Sequence, residues 1–253
     1  MRRIKLTLEY DGTPFHGFQK QDNLPTVQSH LEAAIHHITK EHVATQVAGR
    51  TDAGVHALGQ VVHFDVETDK RLLVFKDGIN NQTPPEIMVT RAEHVDENFQ
   101  ARFDATGRRY RFVIFNRREA SPLWLNRAAH FRPQLDEGLM QAATNLIVGE
   151  HDFSSFRYTE CQAKTPMCHV DEVQITRDGD VVIMEIQANR FLHNMVRILA
   201  GTLCLVGCGK ISVDEFEEIL HAKDRTKAGK TLPPGGLYLK HIFYPEHNVY
   251  ESC

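Results

Sequence analysis

The hydrophobic pattern of this chain changes period again and again, and no other feature limits its fold so tightly. From Ile4 to Tyr10 the apolar residues Ile4, Leu6, Leu8 and Tyr10 alternate with Lys5, Thr7 and Glu9, the period of two expected of a strand with one buried face. Asp11-Gly12-Thr13-Pro14 ends the run with turn-forming residues. Thr26 then stands where a helix cap belongs, ahead of Val27, Leu31, Ala34, Ile35 and Ile38, which keep the helical spacing. A short strand, Val43 to Ala48, follows. Period two returns after the loop Gly49 to Leu58, where Val62, Phe64 and Val66 oppose Val61, His63 and Asp65. Leu72 to Ile79 reads as helical and Ile87 to Val95 as a strand.

The second half repeats that order of elements without repeating the residues. Tyr110, Phe112 and Ile114 share one face of a strand over Arg109 to Phe115. Pro133, Asp136 and Glu137 open a helix that carries Leu139, Ala142, Ala143, Leu146 and Ile147 inside and stops at Gly149. Two strands, Glu172 to Arg177 and Asp180 to Gln187, flank Asp178-Gly179, a strong hairpin signal. Asn189 to Val206 reads as one helix, Ser212 with Glu215 as the capping box of the next, and Leu237 to Tyr244 as a last strand. This pattern gives an α+β chain of two similar halves, each with a mainly antiparallel sheet flanked by helices. At 253 residues the chain has room for two such domains, residues 1–103 and 104–253, with the junction between Phe99 and Gly107.

The composition, 42% hydrophobic and 25% charged, excludes a disordered, collagen-like or disulfide-dense protein. The weakly polar run Ile198 to Gly209 is too short to cross a bilayer. Met1-Arg2-Arg3 imitates the start of a secretory signal, but Lys5, Glu9 and Asp11 interrupt the apolar stretch such a signal needs. The expectation is a soluble cytoplasmic protein with no membrane partner. Its cysteines, Cys161, Cys168, Cys204, Cys208 and Cys253, have no framework spacing and read as reduced thiols. Charge is unevenly spread. Eight arginines, at 102, 108, 109, 111, 117, 118, 127 and 132, face only Asp104 and Glu119, so that segment carries +6 in a chain whose total is −4. A local basic groove on an acidic body suits a protein that holds a polyanion at one place.

Gly49-Arg50-Thr51-Asp52-Ala53-Gly54-Val55-His56-Ala57 joins two strands and places a carboxylate between a cation and a glycine. The residues alone allow two readings. In one, the loop is a hairpin connection in which Asp52 makes an Asx-type turn and Gly54 supplies a positive φ. In the other, strand ends hold a reacting carboxylate rigidly, with Arg50 and His56 influencing its charge state. Further on, helical spacing puts Arg190, His193, Asn194 and Arg197 on one face and Leu192, Met195, Val196, Leu199 and Leu203 on the other. The polar face is either a solvated stripe or a basic binding surface.

Taken as strings, these segments resemble the tRNA pseudouridine synthase A family. The resemblance is carried by Tyr10-Asp11-Gly12-Thr13 with Phe15, Gly17 and Phe18, and by Gly49 to Ala57 continued through Leu58-Gly59-Gln60-Val61. It continues in Arg108-Arg109-Tyr110-Arg111-Phe112, in Asn189 to Arg197 followed by Gly201, and in Pro234-Gly235-Gly236-Leu237-Tyr238-Leu239. It spans nearly the whole chain and implies the pseudouridine synthase fold, with an RNA-binding cleft between the halves. The activity it implies is isomerisation of uridine to pseudouridine at positions 38 to 40 of the tRNA anticodon stem-loop, by homodimers in which one tRNA spans both subunits. Because the product is an isomer of the substrate, no metal, nucleotide or other small-molecule cofactor need take part.

On the matched positions the resemblance makes Asp52 the catalytic aspartate, which either attacks the ribose C1′ or helps remove a ribose proton. Arg197 pairs with it and keeps it ionised, since burial alone would neutralise a carboxylate. Tyr110 lies against the target uracil, where its ring stacks and its hydroxyl is available for proton transfer. Arg50 either occupies the space the extruded base leaves or holds a phosphate. Arg190, His193 and Asn194 are either RNA contacts or solvated residues. The +6 local charge, rather than the resemblance, makes Arg108, Arg109 and Arg111, with Arg102, Arg117 and Arg118, candidates for a phosphate track along the RNA backbone; individually each is either such a contact or an exposed strand residue. Specificity is expected from RNA shape, because side chains cannot read the narrow major groove of a paired stem.

Two segments depart from the family pattern. Thr231-Leu232-Pro233 stands where many members have Thr-Ala-Pro, and Ile198-Leu199-Ala200 precedes Gly201 where Asn-Ile-Val is common. Both read as packing changes that remove no reacting group. Fifteen histidines raise a metal hydrolase as a rival, but Cys161-x6-Cys168-His169 and Cys204-x3-Cys208 match no usual zinc spacing and no His-Glu-x-x-His occurs. A tRNA-binding protein without chemistry would share the basic segment and Tyr110. The set Asp52, Tyr110 and Arg197 is what binding alone does not require.

Overall fold

Residues 1–159, 161 and 163–245 are described by a computed structural model, in which the chain divides into two units: Met1–Gly107 with the segment from Leu239, and Arg108–Tyr238. The first unit contains β1 (Arg2–Tyr10), α1 (Val27–Thr39), β2 (Gln46–Val47), β3 (His56–Val66) and β4 (Ile87–Val95). β1 lies between β3 and β4, antiparallel to both, and β2 pairs with β3. Ile4, Leu6, Leu8 and Tyr10 are all buried, as their alternation requires. Thr26 caps α1 through a capping box with Ser29, and the helix buries Val27, Leu31, Ala34 and Ile35. It packs against a helical segment over 72–80, whose centre Val74–Gly78 widens into a π turn.

Two expectations need correction in this unit. The strand anticipated over Val43–Ala48 shrinks to β2, because Thr45 hydrogen-bonds the Glu32 carboxylate through both its N–H and its hydroxyl instead of extending a ladder. β3 was expected to alternate, but both of its faces are covered. On the second face His63 sits edge-on to Phe99, 5.9 Å between centroids, and its Nδ1 accepts the Ala101 N–H at 3.1 Å. Tyr244 closes this cover by donating its hydroxyl to the Ala101 carbonyl at 2.7 Å.

Burial, helped by the Arg3 guanidinium, pushes the His63 pKa down to about 4. An unfolded histidine titrates near about 6.5, so the stability this neutral ring contributes is complete above that pH. It is lost as pH falls from there through about 4. The wild-type thermal midpoint should therefore drop across that window. In His63→Asn, whose Oδ1 can take over as acceptor for Ala101, that part of the drop should vanish; equal pH slopes for the two proteins would refute the assignment.

The second unit contains β5 (Gly107–Asn116, from Arg108 onward), β6 (Ala129–Phe131), α2 (Glu137–Asn145), β7 (Gly149–Asp152), β8 (Met167–Asp178), β9 (Val181–Ala188), α3 (Met195–Gly207) and α4 (Val213–Ala222). Its sheet runs β5-β9-β8-β7 with antiparallel pairing throughout, and β6 lies parallel along β5. α2 packs on β8 and against α3 and α4. Ser212 and Glu215 form the expected capping box of α4. The final strand, β10 (Leu237–Phe243), carries the chain back into the first unit, where its residues from Leu239 lie beside β3. The whole is α+β, with mainly antiparallel sheets and helices, as expected.

Three local expectations differ here. In the hairpin, Asp178 pairs directly with Val181, so the turn residues are Gly179 and Asp180, with Gly179 at φ +56° in the first central position. In α2 the buried residues are Met140, Ala143 and Thr144, while Leu139 is 43% exposed and Ala142 is also outside. That face is rotated by about one residue from the expected one. The helix expected over Asn189–Val206 begins only at Met195, because Asn194 adopts left-handed backbone angles, φ +62° and ψ 5°.

Cys161, Cys168, Cys204 and Cys208 are free thiols; Cys253 lies outside the described residues. Burial pushes Cys168 up to about 11 and Cys204 up to about 12, so both stay protonated. No helix among the described residues is long and apolar enough to cross a membrane.

Candidate active site

In the first unit, the loop between β2 and β3 is held against the segment that follows β1. Gly12 and Gly17 make the approach possible. A Cβ at Gly12 would lie 2.0 Å from the Val55 carbonyl oxygen, and one at Gly17, where φ is +87°, would lie 2.7 Å from that of Thr51. Through this gap Phe18 donates its N–H to the Thr51 carbonyl at 3.1 Å and Gly54 donates to the Phe15 carbonyl at 3.3 Å. The buried His56 ring accepts the Gly12 N–H on Nδ1 at 3.0 Å, with Asp11 Oδ1 at 3.1 Å from the same nitrogen. Gly54 has the positive φ, +75°, that a turn needs, and the Val55 N–H closes that turn on the Asp52 main-chain carbonyl at 3.1 Å. Closing the turn therefore does not require the Asp52 carboxylate. Asp52 is half-buried and Arg50 is exposed. The early block Tyr10–Phe18 and the Asp52 loop, separate in sequence, are one construction.

In the second unit, Tyr110 lies half-buried on β5, its ring edge-on to Phe191 with centroids 5.0 Å apart and planes at 83°. Phe191 belongs to the irregular segment between β9 and α3, which the left-handed turn at Asn194 ends. Arg197 follows on the first turn of α3. Its Nε donates to the Leu232 carbonyl at 2.8 Å and its Nη1 to Asn194 Oδ1 at 2.8 Å, so the guanidinium is aimed by two fixed acceptors. The Leu232 carbonyl is where it is because the strap 228–232 lies against α3. A Cβ on Gly201 would meet the Lys230 carbonyl oxygen at 1.9 Å, and one on Gly229 would meet the Gly201 backbone at 2.8 Å. The Gly229 N–H donates to Thr202 Oγ1 at 2.9 Å and fastens the strap. Leu232, where the family pattern commonly has alanine, is buried and works through its main chain.

Of the four polar residues expected on one helical face, only Arg197 is on the helix. Arg190 donates to the Thr165 carbonyl at 3.2 Å, and His193 is exposed with its ring against Tyr158, 5.0 Å between centroids. Asn194 is the residue that links back to Arg197. On β5, Arg108 donates to the Asn189 carbonyl at 3.0 Å. Arg109 binds Gln187 Oε1, at 2.6 Å from Nη2, and also Glu172. Arg111 binds Glu185 Oε1, at 2.9 Å from Nε. These partners come from cross-strand register, Arg109 opposite Gln187 and Arg111 opposite Glu185. Sequence reading missed the Leu232 carbonyl, Gly229 and the fastening role of Thr202. The one available signal was Gly201, a glycine inside an apolar helix. Among the described residues, no three His, Cys, Asp or Glu side chains converge as a metal site requires.

The tRNA pseudouridine synthase family matches this chain over residues 7–104 and 143–245. The chain belongs to that family, and with it to the isomerases. A tRNA pseudouridine synthase A from Pseudoalteromonas atlantica is 47% identical over 96% of this chain and 93% of its own length. Those from Shewanella frigidimarina and Photorhabdus laumondii are 42% and 44% identical, over 97% and 96% of this chain and 94% and 92% of their own. The first matched stretch holds the clamped Asp52 loop and the second holds Arg197, Asn194 and the Gly201–Leu232 strap; Tyr110 falls between the two.

Proposed function

We propose that this member of the tRNA pseudouridine synthase family converts uridine to pseudouridine at positions 38 to 40 of the tRNA anticodon stem-loop, as a cytoplasmic homodimer working without a cofactor. The observation that carries the reading is the Asp52 loop: a family-matched string, anchored by main-chain bonds on both flanks, with its carboxylate not needed for the turn. In the reaction the bond from N1 of the base to the ribose C1′ breaks, the base turns, and C5 bonds to C1′. The proton on C5 leaves and N1 gains one, so the atoms balance with no added reagent. Asp52 opens the sequence, by attack on C1′ or by helping remove a ribose proton. Arg197 supplies the positive charge that keeps it ionised. Tyr110, held edge-on by Phe191, offers the extruded uracil a plate to stack on, worth about 1–3 kcal/mol, and a hydroxyl for proton transfer.

The test is to map pseudouridine in tRNA from cells lacking the protein, before and after complementation. Positions 38 to 40 should lose the modification and regain it with the wild type; unchanged modification there would reject the assignment. Arg50 is the exposed candidate for an RNA contact in the loop. Arg50→Ala should weaken tRNA binding by about fivefold and reduce the slope of log affinity against log salt by about one contact. An unchanged slope would mean that Arg50 holds no phosphate.

A further inference from the structure

Beneath the Asp52 loop lies a buried polar group that the reaction does not use. Tyr10, at the end of β1, is 3% exposed, Thr51 is 7% exposed, and Gln60, on β3, is fully buried. In the antiparallel pairing of β1 with β3, Leu8 stands opposite Gln60 and Tyr10 opposite Ala57, with a register irregularity between them. The Tyr10 hydroxyl lies 2.7 Å from Thr51 Oγ1. Gln60 Nε2 has two protons and two acceptors: it donates to the Gly49 carbonyl at 2.7 Å and to the Tyr10 hydroxyl at 3.3 Å. The attachment points are Gly49 and Thr51, the residues immediately before Arg50 and Asp52. A buried amide therefore holds one shoulder of the loop by its main chain, and through the phenol holds the other by a side chain. Arg50 and Asp52, the exposed and half-buried members of the same run, stand between and beyond those two anchors.

We infer that Gln60, Tyr10 and Thr51 are positioning residues for the pseudouridine-forming reaction, a buried tripod that fixes where the Asp52 carboxylate stands. The inference rests on the function proposed above. The arrangement is internally consistent. With Gln60 donating to the phenol oxygen, the phenol proton is free for Thr51. Burial pushes Tyr10 up to about 12, so that proton is retained throughout the working range. Exchanging the amide for an apolar residue would take the side-chain donor from the half-buried Gly49 carbonyl and leave the buried Tyr10 hydroxyl with Thr51 as its remaining partner of the two. Fixing a reacting group in this way matters because a misplacement of about 1 Å can cost on the order of 100-fold in rate.

The experiment compares full-length Thr51→Val, Thr51→Ser, Tyr10→Phe and Gln60→Leu proteins with wild type and with Asp52→Asn. Each is assayed for kcat and KM on a tRNA transcript and for its thermal midpoint. Thr51→Val and Gln60→Leu should lower kcat by about 10- to 100-fold with KM within about threefold. Thr51→Ser, which keeps the hydroxyl, should return kcat to within about threefold of wild type. The double variant Tyr10→Phe with Thr51→Val should be no worse than the poorer single, because both remove one shared hydrogen bond. If Gln60→Leu does not fold, Thr51→Val and its serine rescue carry the test. Wild-type kcat in Thr51→Val, or equal loss in Thr51→Ser, overturns the inference. So does a loss of kcat that disappears on cooling below the variants' unfolding range. An inactive Asp52→Asn beside a fully active Thr51→Val defeats the tripod alone, whereas an active Asp52→Asn defeats the reading beneath it.

Discussion

The Asp52→Asn protein is expected to fold, to bind tRNA, and to form pseudouridine at less than about 10⁻⁴ of the wild-type rate. Folding should survive because asparagine has nearly the same shape and the turn is closed by the residue's own main-chain carbonyl, with Val55 as donor. The other anchors, Thr51 with Phe18 and Gly54 with Phe15, are also main-chain bonds. Binding should survive because RNA affinity is built from many phosphate contacts, and removing a negative charge facing a polyanion makes association the same or slightly tighter. Chemistry should not survive. A neutral amide neither attacks C1′ nor accepts a ribose proton, so both routes open to the carboxylate close together. The measurements are tritium release from C5-labelled uridine in a tRNA transcript, tRNA affinity at fixed salt, and the thermal midpoint. Activity within tenfold of wild type in the folded variant would remove Asp52 from the reaction.

Much of this molecule is legible in its sequence wherever the deciding interaction is local. Thr26 and Ser212 cap their helices because the partner lies three residues away. Ile4, Leu6, Leu8 and Tyr10 are buried because a period of two fixes which face they share. The errors lie where distant residues decide. Asn189 to Arg197 keeps helical spacing, yet Asn189 is bound to His169, Phe191 meets Tyr110, and Asn194 turns left-handed to present its side chain to Arg197. The α2 pattern admits two neighbouring faces, and only packing on β8 and α3 selects Met140 over Leu139. The site divides in the same way. The Asp52 string is readable, but its clamp is supplied by Gly12 and Gly17 and its support by Tyr10, all on the far side of α1 in the chain. The charges of Arg109 and Arg111 are readable too, whereas their carboxylate and amide partners follow from strand register.

Gly201→Ala should destabilise the protein by about 2–4 kcal/mol and lower its thermal midpoint by roughly 5–15 °C. Two effects of opposite sign compete here. Replacing a glycine within a helix by alanine ordinarily gains about 1 kcal/mol in helix propensity. Against that, the new Cβ would lie 1.9 Å from the Lys230 carbonyl oxygen and 3.1 Å from its carbon, both main-chain atoms that no rotamer change can move. The clash wins, and the strap must leave α3. Its departure breaks the Gly229 bond to Thr202 and withdraws from Arg197 the Leu232 carbonyl, one of the acceptors that aim the guanidinium. Measured well below the variant's midpoint, kcat should therefore also fall, by about 10- to 100-fold. Gly209→Ala separates clash from backbone strain: φ there is +69° but no atom lies within 4 Å of the added carbon. That change should cost only about 1–2 kcal/mol and leave kcat at its wild-type value. A Gly201→Ala protein as stable as wild type, or more stable by the propensity difference, would mean that residues 229–232 do not press on α3, and Arg197 would lose the support assigned to it.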